Sequence, residues 1–337
     1  MVKKNETIKK ASKGYIEKYY DSSKSLFNSQ KPVMGLMPEF DREKALDAVR
    51  KDSTVIAAIN TLVDRSMENG YRITGDDGKS RDKEAEKKLR DLRFNKILRQ
   101  IFYNLYAYGN VFVENVKDGN DNIKELHILE TTITEPISTV HGQIEGYTQI
   151  TPDDTNAPFW NPNEVSFMTT TKLTTNVWGE LDIQAVYTSV LIKEYIYAYL
   201  GWLFGTNQLK SFYNIKNANE KQVKNFVSWL KRSQDDITKP LIAEGEVEAT
   251  LLRDFTEGDN IMKVLEKCDN NILTLFQVPP VAMGLPGDSN RSNSDAQDSA
   301  LNTRIRSVQE IVEDECKYDL FRKMGFTKIN LEFEAVQ

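Results

Sequence analysis

The sequence predicts an α+β chain: a mixed body, then two long helices with a small α/β module inserted between them. Two observations predict it. Helix-spaced apolar residues flank a series of short alternating runs, and farther along an aromatic-rich helix is separated from a second apolar-striped helix by the insert at 207–257.

Residues 1–40 form an arm in which seven lysines from Lys3 to Lys24 are interleaved with Tyr15, Tyr19 and Tyr20. It reads either as a mobile terminus or as a basic-aromatic arm that orders against a neighbouring subunit or touches nucleic acid. From Asp41 a body begins. Val55, Ile56, Ile59, Leu62 and Val63 mark a helix face that Gly70 stops. A turn at 75–78 leads into a charged helix over 81–90, and Ile97, Leu98, Ile101, Phe102, Leu105 and Tyr106 then predict an amphipathic helix ended by Gly109. Alternating runs at 111–116 and 123–129 predict a β-hairpin around 118–122. Short strands follow at 131–137, 144–150 and 164–170, punctuated by Pro152, Pro158 and Pro162.

A long helix is expected over 182–204. Within the insert, 209–215, 240–243 and 246–252 read as strands, while Val223, Phe226, Val227 and Leu230 mark a short helix capped by Asn219. The second long helix, 259–277, has Asp259 as its expected N-cap and buries Ile261, Val264, Leu265, Cys268, Ile272, Leu275 and Phe276 along one stripe. It stops at Val278-Pro279-Pro280. A loop rich in Gly, Ser and Asn covers 284–293, a long helix 294–324 and a last strand 328–333.

The first long helix carries Tyr195, Tyr197, Tyr199, Trp202 and Phe204 around its circumference. A helix apolar all round buries more than one face, inside a single-chain core or against neighbouring subunits. It is not read as a membrane span, because Lys193 and Glu194 interrupt it and the apolar part after them is about half of the roughly 20 residues a bilayer requires.

Composition narrows the chemistry. Lys plus Arg number 44 against 50 Asp plus Glu, a net charge of -6, which excludes coating DNA by bulk positive charge. Two histidines (His127, His141) and two cysteines (Cys268, Cys316) exclude a His-rich metal centre or a disulfide framework. The polar Met-Val-Lys-Lys start is not a secretory signal, so a reducing cytoplasm is expected. Gly75-Asp-Asp-Gly-Lys-Ser80 lacks the first glycine of a phosphate loop, and 118–122 lacks the glycine and glutamate of a calcium loop. The acidic groups Asp76/Asp77, Asp153/Asp154, Asp235/Asp236 and Glu313/Asp314/Glu315 show no spacing that builds a metal site. No catalytic constellation emerges, and neither a cofactor nor a metal is expected.

Three stretches, in order, resemble the portal (connector) proteins of tailed double-stranded DNA bacteriophages. They are Asp52-Ser-Thr-Val-Ile-Ala-Ala-Ile-Asn-Thr-Leu-Val-Asp-Arg65; Leu105-Tyr-Ala-Tyr-Gly-Asn-Val-Phe-Val-Glu114 with Ile123-Lys-Glu-Leu126; and Leu275-Phe-Gln-Val-Pro-Pro-Val-Ala-Met-Gly284 with Ser292-Asn-Ser-Asp-Ala-Gln297. The resemblance covers roughly 45–325. It implies a wing at 41–181, stem helices at 182–206 and 258–278, a clip at 207–257 and a tunnel loop at 279–293. A wing helix and strand complete the chain at 294–337, and a C-terminal crown is absent or minimal.

A portal subunit is not an enzyme. The resemblance implies a homo-oligomeric ring, typically of twelve, at one capsid vertex of a virion assembled in the host cytoplasm. Its partners would be double-stranded DNA in the channel, the terminase (packaging ATPase), a head-tail adaptor, the major capsid protein and scaffold, and no membrane. Within that frame Ser289, Asn290, Arg291, Ser292 and Asn293 are the candidate channel residues. Lys221, Lys224, Lys231 and Arg232 are the candidate clip contacts, and Tyr195, Tyr199, Trp202 and Phe204 the candidate subunit interface. The rival readings are a metal-dependent nuclease using the acidic pairs, or another ring or adaptor protein of a virion.

Overall fold

The structure is a computed structural model, and it describes residues 42–119, 123–138, 143–149, 157–170, 177–205, 211–215, 220–235, 247–251, 258–284 and 291–334. The arm at 1–40, the expected strand at 240–243, and Ser289 and Asn290 lie outside the described residues.

Helices α1 (Arg42–Lys51), α2 (Ser53–Met67), α3 (Lys83–Asp91) and α4 (Phe94–Tyr108) build the body. Asp52 caps α2, its Oδ1 accepting the backbone N–H groups of Thr54 at 2.9 Å and Val55 at 3.1 Å. The buried face of α2 is Val55, Ala58, Ile59, Leu62 and Val63, as its spacing requires, whereas Ile56 is turned outward. Helix α4 buries all six residues named for it and ends at Gly109, whose φ of +63° suits glycine.

Strand β1 (Tyr71–Gly75) was not expected from the sequence, which reads there as a stop followed by a turn. It exists because β10 (Ile329–Phe333) returns from the far end of the chain and pairs with it antiparallel, Ile73 opposite Leu331. Strands β2 (Asn110–Lys117) and β3 (Ile123–Ile128) form the expected hairpin, with a bulge at Val116/Lys117, and β7 (Val165–Thr169) pairs on the other side of β2. A second sheet joins β4 (Thr134–Ser138), β5 (Ile144–Gln149) and the two-residue β6 (Phe159–Trp160). Phe112, Tyr147, Phe167 and Trp178 meet between the sheets, Phe112 stacked on Phe167 at 4.5 Å and Trp178 edge-on to both.

Helix α5 (Asp182–Gly205) packs on α7 (Gly258–Phe276), and between them lie β8 (Ser211–Ile215), α6 (Glu220–Asp235) and β9 (Val247–Leu251). Strands β8 and β9 pair antiparallel, so the insert returns to where it left. Helix α7 begins at Gly258. Asp259 is therefore not an N-cap but a first-turn residue, where a carboxylate still favours the positive end of the helix dipole. Leu265, Cys268, Ile272 and Phe276 are buried along α7 as expected, but Val264 is exposed.

Beyond α7, Pro280–Met283 forms a 3-10 turn within the expected loop. Helix α8 (Arg291–Glu315) starts three residues earlier than the sequence suggested. Arg291, Ser292 and Asn293 thus occupy its first turn instead of a flexible loop, while Ser289 and Asn290 stand outside the described residues. Nor does the helix continue unbroken to Met324. A π-helical turn, Cys316–Leu320, interrupts it, which lets Cys316, Leu320 and Phe321 all face the core beneath β10.

Candidate functional site: the paired long helices

Helices α5 and α7 run antiparallel. Lys193 meets Asp269, and one turn earlier on α5 Ser189 lies 3.4 Å from Asn271, two residues later on α7. At their junction with the body sits a buried polar cluster. The Lys193 ammonium, 3% exposed, lies 2.8 Å from Asp52 Oδ2, 2.5 Å from Asp269 Oδ1 and 3.0 Å from Thr54 Oγ1. Thr54 Oγ1 in turn donates to Asp269 at 2.6 Å.

Burial alone would make this ammonium easier to deprotonate. Its hydrogen bonds to Asp269 and Asp52 outweigh that and hold Lys193 above the ordinary lysine value. One cation therefore ties both long helices to the first turn of α2. A second tie joins Asp182, at the start of α5, to Arg304 of α8. Burial pushes the Asp182 carboxyl up, and the Arg304 guanidinium partly opposes the shift. Sequence reasoning saw Lys193 only as an interruption in an apolar run. An isolated lysine between apolar turns was the one available signal that it needed a partner.

The Gly109-Asn110 motif acts at the same junction. The Asn110 side chain donates to Tyr108 O at 2.7 Å and accepts the Gly179 N–H at 2.8 Å, while Thr170 N–H donates to Gly109 O at 2.9 Å. A Cβ on Gly179 would lie 2.4 Å from that carbonyl oxygen, so two backbones touch where only glycine fits.

Past the polar cluster α5 turns outward. Tyr195, Tyr197 and Tyr199 are 45%, 55% and 39% exposed, and Ile192 joins them at the surface. For a single chain this rules out the reading of α5 as a helix enclosed in its own core. Trp202 and Phe204 lie farther along the same helix, where the backbone alone is described.

Beside Tyr197 is a groove of about 360 Å³ between α5 and the α1–α2 junction. The channel candidates Arg291, Ser292 and Asn293 are carried on the first turn of α8 and are not brought together with the clip candidates on α6 by any described contact. On α6, Lys221 and Lys224 are exposed, Lys224 pairing with Glu220 at 2.7 Å, and Lys231 and Arg232 lie on the same helix with only their backbone described.

Among the described residues the acidic groups do not converge. Asp77 closes its own turn by accepting from the N–H groups of Lys79 and Ser80, and Glu313 accepts from Arg306 and from the Phe333 N–H. Asp153, Asp154 and Asp236 lie outside the described residues. Among the described residues no cluster of His, Cys, Asp and Glu is arranged to hold a metal ion, and no helix is long and apolar enough to cross a membrane.

Among solved structures the chain is similar to a protein in the neck of an empty GTA particle computed with C6 symmetry. The TM-score is 0.69 at 16% identity, covering 92% of this chain and 87% of that one. A chain in the neck of the native GTA particle computed with C12 symmetry matches with TM-score 0.67 at 15% identity and the same coverage. The crystal structure of an HK97 family phage portal protein from Corynebacterium diphtheriae matches with TM-score 0.50 at 10% identity, covering 87% of this chain and 95% of that one. At these identities the likeness establishes the fold. No curated protein matches the sequence. The family model described as phage portal protein matches residues 48–336. With nearly the whole described fold inside that match, the chain belongs to the phage portal protein family.

Proposed function

We propose that this chain closes head to tail into a ring of twelve through which double-stranded DNA is packaged and later ejected. The observation that carries the reading is the exposed aromatic surface of α5, with Tyr195 and Tyr199 on one side and Tyr197 on another. Large aromatic side chains exposed on two sides of one helix mark surfaces that a partner covers. A cyclic ring needs a different patch for each neighbour, which a helix apolar on several sides supplies. Trp202 and Phe204 extend the same interface.

Within this reading Ser289, Asn290, Arg291, Ser292 and Asn293 face the channel and give DNA a few weak polar contacts. Lys221, Lys224, Lys231 and Arg232 give α6 a basic edge for the terminase or a head-tail adaptor. The outer surface meets the major capsid protein and scaffold, and assembly takes place in the host cytoplasm. Electron microscopy and native mass of the purified chain test the ring: a closed assembly of twelve with an axial hole is expected, and a stable monomer would overturn it. Exchanging Lys221 and Lys224 for Glu is expected to weaken capture of the packaging motor. Unchanged capture removes α6 from that role.

A further inference from the structure

We infer that the groove at the α1–α2 junction is the socket for the tyrosines of the next subunit, so that α5 supplies both halves of the joint between copies. The inference rests on the ring reading and specifies its contacts. Ile192, Tyr195 and Tyr199 are spaced three and four apart and share one side of α5. Val190, Lys193 and Tyr197 have the same spacing but are displaced by two residues, about 200° around a helix of 3.6 residues per turn, and so lie on the opposite side.

That opposite side is the wall of the groove. Lys193 and Asp52 form its sealed polar floor, and Val190, Tyr197 and Ala198 give it an apolar wall. Ser53, Lys51 and Glu194 supply polar atoms at its edge, with Lys51 and Glu194 3.9 Å apart. An occupant matched to such a site has an aromatic body and a polar tip. Tyrosine has both, its hydroxyl able to accept from the Lys51 ammonium and to donate to the Glu194 carboxylate. The stripe therefore complements the groove chemically, yet the two face away from each other in one chain. Two different patches on opposite sides of one element make a head-to-tail joint, not a two-fold one, and such joints close into rings when the rotation between subunits closes.

The test uses the full chain. Ala198→Trp fills the groove, while the pair Tyr195→Ser and Tyr199→Ser removes the stripe. All three positions are exposed, so neither variant enters the core. Each variant alone is expected to keep the parent melting temperature and to lose ring formation in native mass spectrometry. Their equimolar mixture is expected to stop at one-to-one heterodimers, because the filled chain still offers a stripe, the stripped chain still offers a groove, and the second joint of the pair is dead at both halves.

Rings from either variant alone, or a mixture without heterodimers, overturn the pairing and leave the ring reading standing. A parent chain that forms no ring overturns both. A further measurement is independent of lost assembly. Chains with Tyr197→Cys mixed with chains carrying Tyr199→Cys are expected to cross-link through a short bis-maleimide, the native Cys268 and Cys316 being buried. Cross-linking of Tyr199→Cys chains to one another in equal yield would overturn the pairing.

Discussion

Lys193 shows what a single residue contributes. Replacing it with Met leaves α5 and α7 packed but strands the Asp52 carboxylate, 3% exposed, without its cation. Removing one partner of a buried pair costs about 3–5 kcal/mol. Asp52 would still cap α2 through Thr54 and Val55, so the loss should appear as a lower denaturation midpoint for a chain whose helix content is unchanged. A loss under about 1 kcal/mol would show the cluster to be replaceable by apolar packing.

The pH dependence has a definite sign. The folded Lys193 value lies above the unfolded 10.5, so its contribution is complete below that pH and fades as pH rises through the folded value. Tyr106, buried and pushed up to about 12, acts in the same direction, since the unfolded chain releases its phenolic proton first. The parent chain should therefore lose stability above about pH 10, and its advantage over Lys193→Met should narrow there, both measured by urea denaturation across pH. That the lysine needed a partner was legible in the sequence. That the partners were Asp52, 141 residues earlier, and Asp269 was not, because periodicity carries no information about contacts between distant segments.

At the scale of elements, legibility followed locality. Helices α2 and α4 and the β2–β3 hairpin were readable because their signals lie within a few residues: an Asp cap, an apolar face, a terminating glycine. Strand β1 was not, since Tyr71–Gly75 gains its partner only when β10 arrives, and the π turn at Cys316–Leu320 leaves the apolar pattern of a helix almost intact. The Gly109-Asn110 motif was legible as a pattern but not as a cause. Its cause is the contact with Gly179 that sets where α5 leaves the body. Gly179→Ala should cost about 1–3 kcal/mol, because its Cβ meets a backbone oxygen that no rotamer change can move aside. Amide exchange should rise first around Asp182 and Ile183, and protection equal to the parent there would mean that the junction yields without cost.

A phage portal protein is a ring subunit at a capsid vertex, and on that scale the net charge of -6 per chain becomes a property of the assembly. In the proposed ring of twelve that charge is multiplied, and a duplex passing through it would meet an assembly of the same net sign as its phosphates, with local cations as the points of contact. Binding held by six to ten phosphate contacts loses about 10³–10⁵ in affinity between 50 and 200 mM salt. A conduit built as proposed should hold linear duplex DNA weakly and change less than about tenfold across that range, measured by fluorescence anisotropy on purified rings. In that proposed contact the cation would be Arg291, which the first turn of α8 carries. Arg291→Ala should flatten the salt dependence further and lower the DNA content of filled particles without preventing ring closure. Particles that package and retain DNA normally would remove Arg291 from the channel, while a steep salt slope in the parent ring would reveal a cationic track that the composition argues against.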